Sequence, residues 1–385
     1  MIWINFLHLY QPANTDDYHL QDSLDKSYWR LVRLLEDNPG LRMTFNVSGC
    51  LLERLEDMGR LDFIEALRKL NDSGRLELVS SAAYHGFLPL LSEEEVRKQI
   101  EENEVILKRS FGPSFKAKGF FLPEMSYSPS LAKIVKSFGY EWIILDQISA
   151  ASEQTNQEQI FIDEASGLKV IFRQRELSRA YPPDEIYKLL EVNKKVAISA
   201  TDAELYGLRH EDPTAEMERV AADKRIITKT VSEYISSFSP EDLLIIKLRE
   251  SSWESEEEDI LKGKPFILWQ DKKNIIHRDL WRLSNLSLSL GEKFKDDKNI
   301  EWHRWHLVRG LASCTFWWAS ANDFTASFGP YAWNPDIVER GLNDLLRSVR
   351  AIEDKKSLKD KLKAEALCLR IKKNLWRRHW LKHWI

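Results

Sequence analysis

Seven short runs of apolar, β-branched or aromatic residues recur along the first half of this chain, at residues 2–8, 43–48, 76–80, 118–124, 142–146, 168–173 and 196–202. Most are continuously apolar rather than alternating, which is the pattern of parallel strands buried on both faces. Helical patterns lie between them. Ser92 followed by three glutamates reads as a capping box opening a helix through Leu107, and Ser128 with Pro129 reads as an N-cap and first-turn proline, with Gly139 closing that helix. Residues 183–190 give a shorter helix. The stretch 147–167 is polar and lacks a helical period, so it reads as an extended excursion rather than a standard crossover. Strand and helix alternating everywhere but in that stretch point to a parallel α/β barrel of seven strands.

The ends of these runs carry the chemistry. Polar residues at or just beyond the C-terminal ends are His8 and Gln11, Asn46 and Ser48, His85, Glu124, Asp146, Arg173 and Arg175, and Asp202 with Glu204. In a parallel barrel that rim is where catalytic side chains gather. Each has a bland reading alone, since loops are polar by default and buried His, Asp and Arg are commonly satisfied within the structure. All seven runs ending in hydrogen-bonding groups is harder to assign to structure alone. Two carboxylates delivered to one rim, Glu124 and Asp202, suggest glycosidic-bond chemistry.

At 385 residues the chain exceeds a minimal barrel. We read residues 1–250 as the barrel, 251–270 as a connecting segment and 271–385 as a mainly helical bundle packed on it, because from Asp271 onward helical periods dominate, through 302–320, 335–353 and 359–385. The acidic run from Glu254 to Asp259 reads as a solvated helix start or linker. A formal net charge of -4 gives no basic character and argues against nucleic acid as a partner. Cys50, Cys314 and Cys368 lack metal-ligand spacing and are too few for a disulfide framework. The N-terminus enters its first strand at once and no apolar run is long enough to span a bilayer, which predicts a soluble, cytoplasmic protein without a membrane partner.

Most of the 14 tryptophans read as core. Trp317 and Trp318 differ, because two adjacent indoles cannot both point into the same side of a helix, so one of them is expected to face a cavity. The basic stretch 355–382 carries Trp376 and Trp380, with Trp384 following at the same spacing; a packed terminal helix with solvated lysines explains it better than a membrane-surface helix. The pairs His379 with His383 and His303 with His306 have no third ligand nearby in sequence, so no metal is expected at either.

The motifs resemble glycoside hydrolase family 57, the retaining α-glucan enzymes built on an incomplete seven-stranded barrel followed by a helical bundle. The first motif corresponds to His8, Leu9, Tyr10, Gln11 and Pro12. The second corresponds to Leu76–Val79 with residues 84–89, the third to 119–124, the fourth to Asp202, Ala203 and Glu204 followed by Gly207, and the fifth to 313–318. The resemblance implies Glu124 as nucleophile and Asp202 as acid/base, with His8, Gln11, His85, Asp146, Arg173, Glu204, Trp317 and Trp318 about the sugar and no cofactor. Three positions depart from the family pattern: Tyr10 stands where a second histidine is usual, Phe121 where tryptophan is, and Ala203 where glycine is. These changes bear on subsite geometry.

The expected reaction is α-amylase-like cleavage of an α-1,4-linked glucan or maltooligosaccharide, with a covalent glycosyl-enzyme and carboxyl groups ~5–6 Å apart. Glu124 must be ionised, with His8 or an arginine as candidate donors. Asp202 must begin protonated, with burial or the charge of Glu204 favouring that state. Transfer to a sugar acceptor, as in a 4-α-glucanotransferase or branching enzyme, uses the same site. The alternatives of another class are an inactive glucan-binding protein and a metal-dependent polysaccharide deacetylase using His8, His85, Asp146 and Asp202, although the barrel half lacks the close histidine pair such a metal site uses.

Overall fold

The computed structural model describes residues 1–150, 155–320, 324–325, 329–330 and 333–383. Two compact units emerge, one formed by Met1–Ala83 with Leu88–Trp253 and the other by Tyr84–Phe87 with Glu254–Ile385.

The first unit is a (β/α)7 barrel. Its strands are β1 (Ile2–Leu9), β2 (Met43–Val47), β3 (Leu76–Val79), β4 (Gly119–Phe120), β5 (Trp142–Asp146), β6 (Phe161–Asp163), β7 (Lys169–Arg173), β8 (Val196–Asp202), β9 (Ile227–Thr228) and β10 (Leu244–Ile246). Parallel pairing runs β8–β1–β2–β3 and β4–β5–β7. Two seams join these arcs. Ser80 bridges Phe120, its N–H donating to the Gly119 carbonyl at 3.1 Å, and the Gln174 N–H donates to the Ile198 carbonyl at 2.9 Å. The extended excursion before β7 contains β6, which lies antiparallel to β7, with β10 parallel to β6 on its far side.

Alternation is present in the strands although hydropathy conceals it. Ile4, Phe6, Phe121, Trp142, Ile144, Ile171, Val196, Ile198 and Ala200 form one buried cluster drawn from five strands and their ends, which places it inside the ring, with Val231, Tyr234 and Ile235 of the Val231–Ile235 helix. Ile143, Leu145, Val170 and Phe172 belong instead to a cluster with residues of the Glu93–Phe111 and Pro129–Ser137 helices. Because side chains alternate along a strand, His8, Asp146, Arg173 and Asp202 continue the inner set by one further step. Ser92 and Ser128 cap their helices as expected, accepting from the N–H groups of Glu95 and Leu131.

The fourth run is a strand for two residues only, not for 118–124. Pro123 has no N–H to donate, and Glu124 and Met125 turn into left-handed conformation at φ 60° and 47°, which a strand cannot continue through.

The second unit is helical, with Ile275–Lys293, Ile300–Gly310, Ser313–Trp317, Pro335–Ala351 and Leu358–Arg378 as its main elements. The period read through 302–320 breaks at Ala312, which is extended at φ -52° and ψ 138° and pairs with Gly86 as an antiparallel bridge. Gly341 permits close helix approach, since a Cβ there would lie 2.0 Å from the Thr315 hydroxyl oxygen. The Leu358–Arg378 helix buries Ala364, Leu367, Cys368, Ile371 and Leu375. Core placement does not extend to Trp302, Trp305 and Trp380, which are exposed, and Trp384 lies outside the described residues. No described helix is long and apolar enough to cross a membrane.

Candidate active site

The end of β4 presents Glu124 on strained backbone. Its left-handed φ costs a non-glycine residue energy that surrounding contacts must supply. Those contacts are visible: the Trp253 N–H donates to the Glu124 carbonyl at 3.0 Å, and the Trp253 indole N–H donates to the Glu124 carboxylate at 2.8 Å. One tryptophan thus holds both the main chain and the side chain of this residue. One donor to the carboxylate is that neutral indole, a residue that sequence reasoning did not offer for this role. Trp253 also lies edge-on to the rings of His8 and Phe121, at 6.3 and 6.0 Å between centroids.

The end of β8 is built differently. Asp202 lies in register with His8 on β1, and Arg209 donates to its carboxylate at 2.8 Å. His8 is buried, with Nδ1 2.8 Å from the side-chain oxygen of Asn46. That oxygen only accepts, so the proton sits on Nδ1. Burial lowers the His8 pKa to about 4, against the opposing charge of Asp202, so the ring is neutral at pH 7. Phe121 stacks on it at 4.5 Å and Tyr10 at 5.6 Å.

Behind Asp202, Glu204 is buried and takes hydrogen bonds on one oxygen from the Tyr28 hydroxyl and, at 2.8 Å, from Gln11. Burial first, and the Asp202 charge second, push its carboxyl up to about 7. Gly207 is needed here. At φ 116° it brings the chain so near the Lys26 carbonyl that a Cβ would lie 2.1 Å from that oxygen.

Asp146 and Arg173 face inward but are already paired. Asp146 accepts from Arg173 at 2.7 Å and from Arg175 at 3.0 Å, and both arginines also reach the Trp253 carbonyl. The Arg173 guanidinium lies 5.1 Å over the Trp253 ring and donates to the Ala200 carbonyl, which ties β7 to β8. This network fixes Trp253 from below.

The first unit therefore gathers His8, Gln11, Glu124, Asp146, Arg173, Asp202 and Glu204. His85, Trp317 and Trp318 belong to the second unit. There the His85 Nδ1 lies 2.9 Å from the Ser313 hydroxyl, and the Ser313 N–H donates to the His85 carbonyl at 2.9 Å, so the second and fifth motifs are bound together. Trp317 and Trp318 are both half-buried, their rings 4.5 Å apart at 75°. His303 lies 2.9 Å from the Ser348 carbonyl and His306 3.3 Å from Asp344. Among the described residues no group of three His, Cys, Asp or Glu side chains is arranged to hold a metal ion.

Sequence reasoning missed three members: Trp253, Arg209 and Tyr28. Trp253 stands 51 positions after Asp202 and beyond the boundary read at residue 250, with no periodic signal around it. Arg209 lies on a turn, where polarity says nothing about direction, and Tyr28 lies in a helical stretch, where a buried tyrosine reads as core.

A sequence model described as glycosyl hydrolase family 57 matches residues 5–249. The chain is similar to an alpha-amylase of Pyrococcus horikoshii, 27% identical over 270 residues that cover 64% of this chain and 42% of that protein. It is also similar to a 4-alpha-glucanotransferase of Thermococcus litoralis, 26% identical over 273 residues covering 64% and 40%. The chain thus spans about two fifths of the length of these curated relatives. In fold it is similar to a branching enzyme of that family from Thermococcus kodakaraensis, with a TM-score of 0.70 at 17% identity over 96% of this chain and 95% of that one.

Proposed function

Since this chain belongs to glycosyl hydrolase family 57, we propose that it cleaves α-1,4-linked glucans or maltooligosaccharides with retention, Glu124 acting as nucleophile and Asp202 as acid/base. The observation that carries the reading is the run of contacts joining the two carboxylates. Glu124 is bonded to Trp253, Trp253 lies against His8, and His8 is the strand neighbour of Asp202. Both acids therefore leave the same end of one parallel barrel, where substrate chemistry is expected.

The steps follow from these roles. Glu124, ionised and oriented by the indole, attacks the anomeric carbon while Asp202 delivers a proton to the departing glycosidic oxygen. Asp202 then takes a proton from the incoming acceptor, whose oxygen displaces Glu124. Arg209 competes for the oxygen that must carry the proton, so substrate entry draws this exposed guanidinium aside, onto a sugar hydroxyl. Neutral His8 lies beside Asp202 without adding a charge there. The buried Asp146–Arg173–Arg175 network positions Trp253. Tyr10, Phe121 and Trp253 supply aromatic surface suited to the C–H faces of a neutral sugar, and the arginines beside them are largely engaged by Asp146, which disfavours a polyanionic substrate.

The test is product analysis by NMR on maltoheptaose. Cleavage with the α-anomer formed first supports the reading. Initial formation of the β-anomer, or no turnover of any α-glucan alongside activity on an acetylated polysaccharide, overturns it. Larger products in place of free maltose would assign the same site to glucan transfer.

A further inference from the structure

Two tryptophans of the second unit are exposed in a way that neither packing nor the site above accounts for. On the Ile300–Gly310 helix, Trp302 is 59% and Trp305 42% exposed, three residues apart on one face. Their ring centroids are 5.9 Å apart with planes at 68°. Trp305 is held firmly. The Arg309 guanidinium lies 3.6 Å over its ring and donates to its carbonyl at 2.9 Å, and that same guanidinium lies 5.1 Å over the ring of Tyr84. The His306 ring meets its edge at 4.6 Å. Arg309 and Tyr84 are themselves buried, so Trp305 is the outermost layer of a stack whose inner layers are fixed. One face of its indole is covered by the guanidinium, and the residue still exposes 42% of its surface.

We propose that Trp302 and Trp305 form a platform that holds an α-glucan chain, a binding site that includes neither Glu124 nor Asp202. The identity of the occupant rests on the glucan reading above and on two further features. Pyranose rings stack their C–H faces on indoles while their hydroxyls bond to neighbouring polar groups, and on this helix Arg304 stands between the two tryptophans while Glu301 and His306 flank them. A protein partner would have to desolvate those groups, which interface cores avoid. The angle is the second feature. Rings at 68° cannot both lie flat on the straight ribbon of a β-1,4-glucan, whereas successive sugars of a coiled α-1,4 chain turn relative to one another. Pre-fixing the ring by Arg309 lowers the ordering cost of binding.

The test uses the full chain and two separate measurements. Native electrophoresis in gels containing soluble starch reads the platform, and turnover of maltoheptaose and of a short aryl maltoside reads the catalytic site. Wild-type protein is expected to be retarded by starch but not by soluble cellulose derivatives. The W302A/W305A variant should lose at least tenfold in starch affinity with kcat/KM on the aryl maltoside unchanged. Trp302→Ala alone, the least packed of the substitutions, should lose several-fold and covers the case in which the double variant does not fold. Trp380→Ala removes an equally exposed indole elsewhere in the same unit and should bind starch normally. Unaltered starch retardation in both Trp302 variants overturns the platform and leaves the catalytic reading standing. Wild-type protein that starch does not retard overturns it as well, even if maltoheptaose is cleaved. Retarded protein without turnover of any α-glucan supports the platform and removes the catalytic reading.

Discussion

The ends of β4 and β8 deliver their acids by unlike means. At β4 the strand lasts two residues, the backbone turns left-handed at Glu124, and a neutral indole orients the carboxylate. At β8 the strand lasts seven residues in regular register with β1, and Asp202 has the fixed charge of Arg209 on it, with titratable His8 beside it and Glu204 behind it. The first end is shaped by strained backbone and by an indole seated on a buried ion-pair network. The second is shaped by charge, part of which pH changes. Under the roles proposed for Glu124 and Asp202, a nucleophile that must stay ionised and an acid/base that must exchange a proton in every cycle suit that difference.

Substitution at the β4 end gives the largest expected effect. Glu124→Gln keeps the shape and the bond from Trp253 but cannot form the covalent intermediate, so turnover of maltoheptaose should fall by roughly 10⁴-fold or more with the fold intact by circular dichroism. Substantial residual activity would place the nucleophile elsewhere. Asp202→Asn should lose about 10²–10⁴-fold on maltooligosaccharides and far less in formation of the glycosyl-enzyme from an aryl glycoside, whose leaving group departs without a proton. An equal loss on both substrates would break the contrast between the two ends.

Trp253→Phe tests the neutral donor. It keeps most of the packing and removes one hydrogen bond to Glu124, so kcat should fall by about 10–100-fold with little change in KM. The acid limb of the kcat/KM profile should move to higher pH, because the ionised carboxylate loses a donor that favours it.

Glu204→Gln is the mildest, and it acts on stability rather than turnover. The folded carboxyl is raised to about 7 from an ordinary value of 4.5, so the folded state binds the proton more tightly than the unfolded chain does. The stability tied to the protonated form is complete below about 4.5 and is lost as pH rises through about 7. His8 runs the opposite way. Its folded pKa is lowered to about 4 from 6.5, so stability falls as pH drops from 6.5 through about 4. The two slopes oppose each other between about 4.5 and 6.5. In urea denaturation the variant should gain stability relative to wild type as pH rises from 4.5 to 7, by up to roughly 3 kcal/mol, and the gain should level off above that. A pH-independent difference would show that Glu204 is already charged in the folded protein.

Much of the barrel was legible because parallel buried strands are written as dense apolar runs. Six of the seven runs form strands within two residues of where they were read, and Ser92, Ser128 and Pro129 mark helix starts as capping chemistry requires. The short strands β6, β9 and β10 were not legible, since two or three residues carry no period and Leu244 and Ile245 are exposed. The break at Ala312 was hidden because alanine suits a helix, and a partner distant in sequence, Gly86, draws its backbone into a bridge. The exposure of Trp302 and Trp305 was not legible either, since residue type gives no direction for a side chain.

The sequence by itself determined the strand and helix alternation, the rim of the barrel and the two acids standing on it, because hydrophobic period and strand-end position are local properties of the chain. Only the tertiary structure decided the electrostatic character of each acid. Trp253 reaches Glu124 across 129 positions, and Tyr28 and Gln11 reach Glu204 across 176 and 193. A carboxyl's protonation depends on what lies within a few ångströms of it and on how much water is excluded, and both are fixed only when distant segments meet.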